Sequence, residues 1–328
     1  MARNKAEKML KAEEKKKLKE KQKRIEQANK MLLPVSKQTN DSLGLISFDP
    51  NGTMRFEKNR WLKVYEILDV SKGIGVTVPS VINKVKGKIR ITSKDNCGGG
   101  ETSYLTQFVY EENYEDVGKI IDQNEEVLRQ VLNMKALTID ETMAVIMGLF
   151  GKKEDFSYVS EIRGKSNWKT KLFSEIKDEG SFFRINGTIG QCSFIMQYPS
   201  VLICQIFSKL KDLSCPVIVA YDLSDVTEEE KKGYRSHLEK QFNRRITKEE
   251  QKDYCNLSCM LIFLADSIDA KEIIEKTIQD YFTRDGFVIS SCNGFEKEAV
   301  ESMFSLGMKE FNIFRNVSLD VADEILSV

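Results

Sequence analysis

The sequence predicts an α+β fold, with mixed sheets covered by helices and two loosely similar subdomains behind a charged amino-terminal helix or tail. Strand-length apolar runs alternate with amphipathic helical stretches from about residue 40 onward, and in the second half the alternation has an α/β-type regularity. The 328 residues are 41% apolar and 30% charged, enough for a sizeable core and too long for one small domain. Charge sets the tail apart. Residues 1–30 hold 12 Lys or Arg against 5 Glu, although the 50 basic and 50 acidic residues of the whole chain cancel. These observations divide the chain into a basic helical tail at 1–35, an N-terminal α+β subdomain at 40–155 and a C-terminal α/β subdomain at 175–328.

The tail lacks Pro and Gly over residues 1–30 and consists of good helix formers, with Leu18, Ile25 and Leu32 spaced seven apart. Leu32-Leu33-Pro34 closes it, because proline cannot continue the helix. Leu43–Phe48 reads as a strand, Asp49-Pro50-Asn51-Gly52 as a turn, and Trp61–Val70 as a second strand. Gly73–Ile91 and Ser103–Tyr110 continue as β structure around the loop at 93–100. Tyr114–Leu132 sets Val117, Ile120, Ile121, Val127, Leu128 and Val131 at helical spacing, and Thr138–Leu149 opens with Asp140 and Glu141, an acidic first turn that suits a helix dipole. Asn186-Gly187, between Ser181–Ile185 and Thr188–Gln197, supplies the two positive φ angles of a type I′ hairpin turn. Tyr198-Pro199 then precedes a helix from about Val201 to Leu213, a buried-type strand at Pro216–Tyr221, and a long charged helix at Thr227–Tyr254. Leu257–Ala265, Asp269–Tyr281, Gly286–Ser290 and Phe295–Leu306 alternate strand, helix, strand, helix up to Gly307.

Composition removes several chemistries. A net charge of zero leaves only local patches for nucleic acid. The seven cysteines, at 97, 192, 204, 215, 255, 259 and 292, form no CxxC pair and suit free thiols in a reducing compartment. One histidine, His237, sits in a stretch charged nearly all round, so neither a His-based zinc site nor a Ser-His-Asp triad is encoded. Gly164-Lys165-Ser166 is not a P-loop, since Val159 stands where the first glycine is required. Cys97-Gly98-Gly99-Gly100 runs into a strand-like stretch rather than a helix and reads as a loop. Cys255 and Cys259 read as core thiols, and Asp222, Asp225 and Glu228–Glu230 as carboxylates at the start of the long helix. The sequence thus offers no catalytic, cofactor-binding or metal-binding residue, and no enzyme is expected. Its binding candidates are the tail cations Lys15, Lys16, Lys17, Lys19, Lys21, Lys23 and Arg24, a cluster that suits polyanions or acidic partners but has no aromatic side chain for base stacking. The first thirty residues have no apolar run of signal-peptide type, and no eighteen-residue apolar span occurs.

One arrangement goes further. The strand Cys192–Gln197, Tyr198-Pro199, a helix, the strand Pro216–Tyr221, Asp222-Leu223-Ser224, a long charged helix with Arg244-Arg245, the strand Leu257–Ala265, a helix, the Gly286-Phe287 strand, and Arg315 just ahead of Val317–Ala322 occur in that order. Together they resemble the amino-terminal, non-motor region of the type IV secretion ATPases of conjugative DNA transfer, the TraE/TraC-like family. Trp61–Ile67 is similar to the early strand of that family, and the resemblance covers about residues 40–328. Family members continue into a RecA-like motor with a GxxxxGK(S/T) loop. This sequence contains no such loop, so no motor residue carries over. The resemblance implies a non-catalytic component of a conjugative-transfer apparatus, docking on inner-membrane channel components or on a transfer ATPase, with contact between subunits of a ring or homo-oligomer. It implies a cytoplasmic protein, peripheral at the inner face of the cell membrane, where the basic tail meets an anionic surface. The alternative expectation is a nucleic-acid-binding protein that uses the tail.

Overall fold

The computed structural model describes residues 15–16, 19–20, 33–34, 44–70, 77–95, 101–151, 176–199, 209–210, 212–242, 245, 253–311 and 313–326. Its strands are β1 (Leu33–Pro34), β2 (Leu45–Phe48), β3 (Met54–Phe56), β4 (Arg60–Val70), β5 (Lys88–Asp95), β6 (Glu101–Tyr110), β7 (Leu132–Ala136), β8 (Lys177–Asp178), β9 (Phe183–Ile185), β10 (Thr188–Gln197), β11 (Val217–Asp225), β12 (Tyr254–Ala265), β13 (Val288–Ser291) and β14 (Arg315–Ser318). Its helices are α1 (Val78–Val81), α2 (Tyr114–Leu128), α3 (Ile139–Leu149), α4 (Glu228–Phe242), α5 (Ile268–Arg284), α6 (Glu296–Phe304) and α7 (Leu319–Leu326).

Short-range chemistry starts most of the helices and one hairpin. Thr138 and Glu141 form a reciprocal capping box at α3, and Thr227 with Glu230 does the same at α4. Asn113 and Ser267 accept the third amides of α2 and α5. Asn186 (φ 49°) and Gly187 (φ 84°) make the hairpin turn between β9 and β10 that the dipeptide predicts.

The fold class is α+β, as expected. All described strands join one sheet in the order β1-β2-β3-β4-β6-β5-β11-β12-β10-β9-β8, with β7 added to β4, β13 to β10 and β14 to β12. The expectation of mixed sheets needs correction, because every described pairing is antiparallel. The reason is topological. Strand β6 leads through α2 to β7, but β7 pairs with β4 and not with β6, so the crossover skips a strand. Strand β12 leads through α5 to β13, which pairs with β10 in the same way. Each half therefore has the strand order of a split β-α-β-β-α-β unit: β7-β4-β6-β5 in the first and β13-β10-β12-β11 in the second. The connection from β4 to β5 carries α1, and the helical part of the connection from β10 to β11, among the described residues, is the pair Lys209–Leu210. The two units are joined edge to edge through β5 and β11, from Val217 opposite Asp95 to Ser224 opposite Lys88.

Strand alternation sorts the core into two layers. Leu62, Val64, Phe108, Ile218, Ala220, Met260 and Ile262 face α3 and α6. Tyr65, Ile89, Leu105, Val219, Leu223, Leu257, Leu261 and Phe263 face the other way, toward α1, α5, α7 and the carboxyl end of α2.

Four local readings differ from the structure; one is the long helix expected over Thr227–Tyr254, which is α4 (Glu228–Phe242), while Tyr254 opens β12. Val78–Val81 is a helical turn and not part of a strand, because Thr77 and Ser80 cap each other around Pro79. The expected helix Tyr114–Leu132 stops at Leu128, and Leu132 instead opens β7. Asp222-Leu223-Ser224 lies inside β11 rather than after it.

Candidate functional site

Three segments singled out in the sequence, Tyr198-Pro199, Arg315 and Val317–Ala322, come together where the second unit's sheet forks. Along one edge of β12, residues 260–265 pair with β10, whereas Tyr254–Leu257 pair with β14, Leu257 opposite Arg315 and Tyr254 opposite Ser318. Strand β10 leaves β12 after Phe194 and stays with β13 through a bulge between Ile195 and Gln197. The wedge forms a half-open cavity of about 390 Å³, lined by residues 196–199 from β10 and its end, Tyr254 from β12, residues 315–318 from β14, and Val321 from α7.

Arg315 bridges the fork. Its Nε donates to the Met196 carbonyl at 2.8 Å and its Nη1 to the Phe314 carbonyl at 2.9 Å, which aims the guanidinium across the opening. No carboxylate pairs with it among the described residues. The Tyr198 ring is held edge-on against Phe287, which packs in turn against Phe282. The Tyr198 hydroxyl is buried beside the Cys259 amide without a hydrogen bond of ordinary geometry, and burial pushes the phenol far above its usual range. Helix α7 is seated by buried Val321, Ala322 and Ile325, by the Leu319 amide donating to the Asp253 carbonyl at 3.0 Å, and by the Thr77 hydroxyl donating to Asp323. A guanidinium stays charged at any physiological pH. The arrangement therefore suits recognition of a negative group rather than proton transfer.

A second concentration of charge lies at the seam between the units, on the α3 and α6 face. Asp222, read from the sequence as a helix-start carboxylate, is fully buried in mid-strand opposite Arg90, which also corrects that reading. Arg90 donates Nε and Nη2 to its two carboxylate oxygens at 2.8 Å each, and Nη1 to the Ser302 carbonyl at 2.8 Å. Lys88 Nζ lies 3.6 Å from Asp222 and 4.2 Å from the centre of the Phe108 ring. Arg60 donates to the Gly307 and Met308 carbonyls. Burial opposes ionisation of Asp222, yet Arg90 and Lys88 hold its carboxyl below the ordinary value. Burial lowers Lys88 to about 8. The cations thus satisfy one carboxylate and the carbonyls at and just beyond the end of α6, where the helix dipole favours positive charge. This cluster holds the two units together.

Of the tail candidates, Lys15, Lys16 and Lys19 are helical and exposed, and Lys17, Lys21, Lys23 and Arg24 lie outside the described residues. So do Gly164-Lys165-Ser166, Cys97–Gly100 and Arg244. His237 falls on α4, as its charged surroundings predict, and its side chain lies outside the described residues. Cys255 and Cys259 are core thiols in β12. Among the described residues no group of three or more His, Cys, Asp or Glu could hold a metal ion. Sequence reasoning did not single out Met196 and Tyr254 as site residues, nor Arg90 as the partner of Asp222. A lone Asp inside an apolar strand was the one signal that could have found the ion pair. No protein-family model matches the chain, and no curated protein matches its sequence.

Proposed function

We propose that the chain is a non-catalytic component of a conjugative-transfer, type IV secretion apparatus, related to the amino-terminal region of the transfer ATPases, and that it docks on membrane-channel proteins or on such an ATPase. The observation that carries this reading is the convergence of the segments bearing the resemblance. Tyr198-Pro199 stands far in sequence from Arg315 and the adjoining start of Val317–Ala322, yet all of them line one cavity with a guanidinium across its mouth. The same reading places the protein in the cytoplasm at the inner face of the membrane, and among the described residues no helix is long and apolar enough to cross one.

The test is genetic and biochemical. Deleting the coding sequence from a donor cell should abolish conjugative transfer, and the tagged full chain should bring down channel or ATPase subunits from detergent-solubilised donor membranes. Transfer at unchanged frequency, or capture of nucleic acid alone in a manner that depends on the basic tail, refutes the proposal.

A further inference from the structure

We infer that the fork between β10 and β14 is a docking site for an extended peptide segment that carries a carboxylate, with Arg315 as the residue that reads it. The inference deepens the docking role proposed above and rests on it only for the apparatus in which the partner resides.

Charge supports it first. Other cations drawn into this half of the protein have carboxylates: Lys271 with Glu275 at 2.7 Å, Lys309 with Glu301 at 3.0 Å and Lys209 with Asp285 at 3.2 Å. Arg315 is tied only to two backbone carbonyls, and its Nη2 has no protein partner among the described residues. Orientation of a guanidinium by carbonyls, with one fork of N–H groups left over, is a pre-set geometry for a carboxylate.

Backbone supports it next. Strand β14 pairs with β12 along one edge, and its other edge has no strand partner among the described residues. Strand β10 has left β12 at the same level, so two strand edges face the wedge. An extended chain adds to such an edge by main-chain hydrogen bonds, while side-chain pockets supply selectivity. The lining provides both kinds of surface: Met196, Pro199 and Val321 are apolar, and Gln197, Asn316 and Ser318 can hydrogen-bond. A volume of about 390 Å³ admits a few residues of extended chain and no folded element.

The lining chemistry decides between a carboxylate and a phosphate backbone. Among the described residues Arg315 is the one cation in the lining, and two of its five N–H donors are already used. One guanidinium suffices for a carboxylate, whereas nucleic acid binds through several cations at once.

The experiment is selection of a phage-displayed random heptapeptide library on the immobilised full-length protein. The selected peptide is then synthesised with a fluorescent label and titrated by anisotropy. Wild-type protein is expected to enrich peptides with Asp or Glu. Arg315→Gln, whose amide can still donate to Met196, should weaken the labelled peptide by about tenfold or more, and Arg315→Glu should select basic peptides instead. Asn316→Trp, at an exposed lining position, should block binding without touching the core. Melting curves verify that each variant is folded. Absence of acidic enrichment, equal binding by Arg315→Gln, or displacement of the peptide by oligo-dT would overturn the inference. Peptide selection needs no secretion apparatus, so unchanged transfer after gene deletion would defeat the proposed function and leave this result standing.

Discussion

Replacing Asp222 by Asn removes the one carboxylate that Arg90 and Lys88 share at the seam between the units. Both side chains of the Arg90–Asp222 pair are sealed from water, at 1% and 0% exposure, and the pair is bidentate. Breaking such a pair from one side leaves a buried guanidinium without its counter-charge, a loss of about 3–5 kcal/mol. Asn keeps one acceptor for Arg90 but turns a donor toward it, so we expect about 4 kcal/mol at pH 7 and a melting temperature lower by roughly 5–10 °C. The loss also depends on pH. Burial already holds Lys88 at about 8, against 10.5 in the unfolded chain, so the folded state binds fewer protons and stability rises with pH from about 8 to 10.5. Below about 8 the Asp222 carboxylate offsets part of the Lys88 charge, and above it Lys88 is neutral in the folded protein. The penalty of Asp222→Asn should therefore be largest near pH 6 and smaller at pH 9. Urea titrations of both proteins at these two pH values measure it. A loss below about 1 kcal/mol, or one that grows with pH, refutes the assignment of the seam as an ion-paired joint. A double variant, Asp222→Leu with Arg90→Met, should be more stable than Asp222→Leu alone, because the buried guanidinium is no longer left without its counter-charge.

Glu296 is buried with Oε2 accepting the Cys192 amide and Oε1 unpaired, and burial raises its carboxyl to about 7 from 4.5. Its contribution is complete below pH 4.5 and is lost as pH rises through 7, at most roughly 3 kcal/mol, so Glu296→Gln should flatten the stability profile over that window in pH-dependent melts. Gly307 has φ +87°, and a Cβ there would lie 2.4 Å from Phe108 Cζ, so Gly307→Ala should destabilise by roughly 2–4 kcal/mol in a urea titration. Cys192, Cys215, Cys255, Cys259 and Cys292 are buried, and burial raises Cys255 to about 12. These five should escape iodoacetamide in native protein and react in urea, as read by peptide mapping.

The features legible in the sequence are those whose partners lie within a few residues. The capping boxes at Thr138 and Thr227, the Asn186-Gly187 turn and the alternation of strands with helices all follow from short-range sterics and hydrogen bonds. The same reasoning failed where a tertiary demand outweighed propensity: the Val- and Ile-rich stretch at 78–82 reads as β but folds as helical turns, packed into the core beneath α7. Whether α5 returns its chain beside β12 or one strand beyond, at β10, is not encoded in any local pattern. Neither is the edge pairing of β5 with β11 that makes two units share one sheet. The candidate site depends on distance in the same way. Sequence alone determined the α+β class, and it picked out Tyr198, Pro199 and Arg315 only as parts of a resemblance. Only the tertiary structure placed Arg315 on the Met196 carbonyl, 119 residues away, and Arg90 on Asp222, 132 residues away. Side chains that far apart meet only after the whole chain has chosen how to bury its two apolar layers, because no interaction near either residue specifies the other.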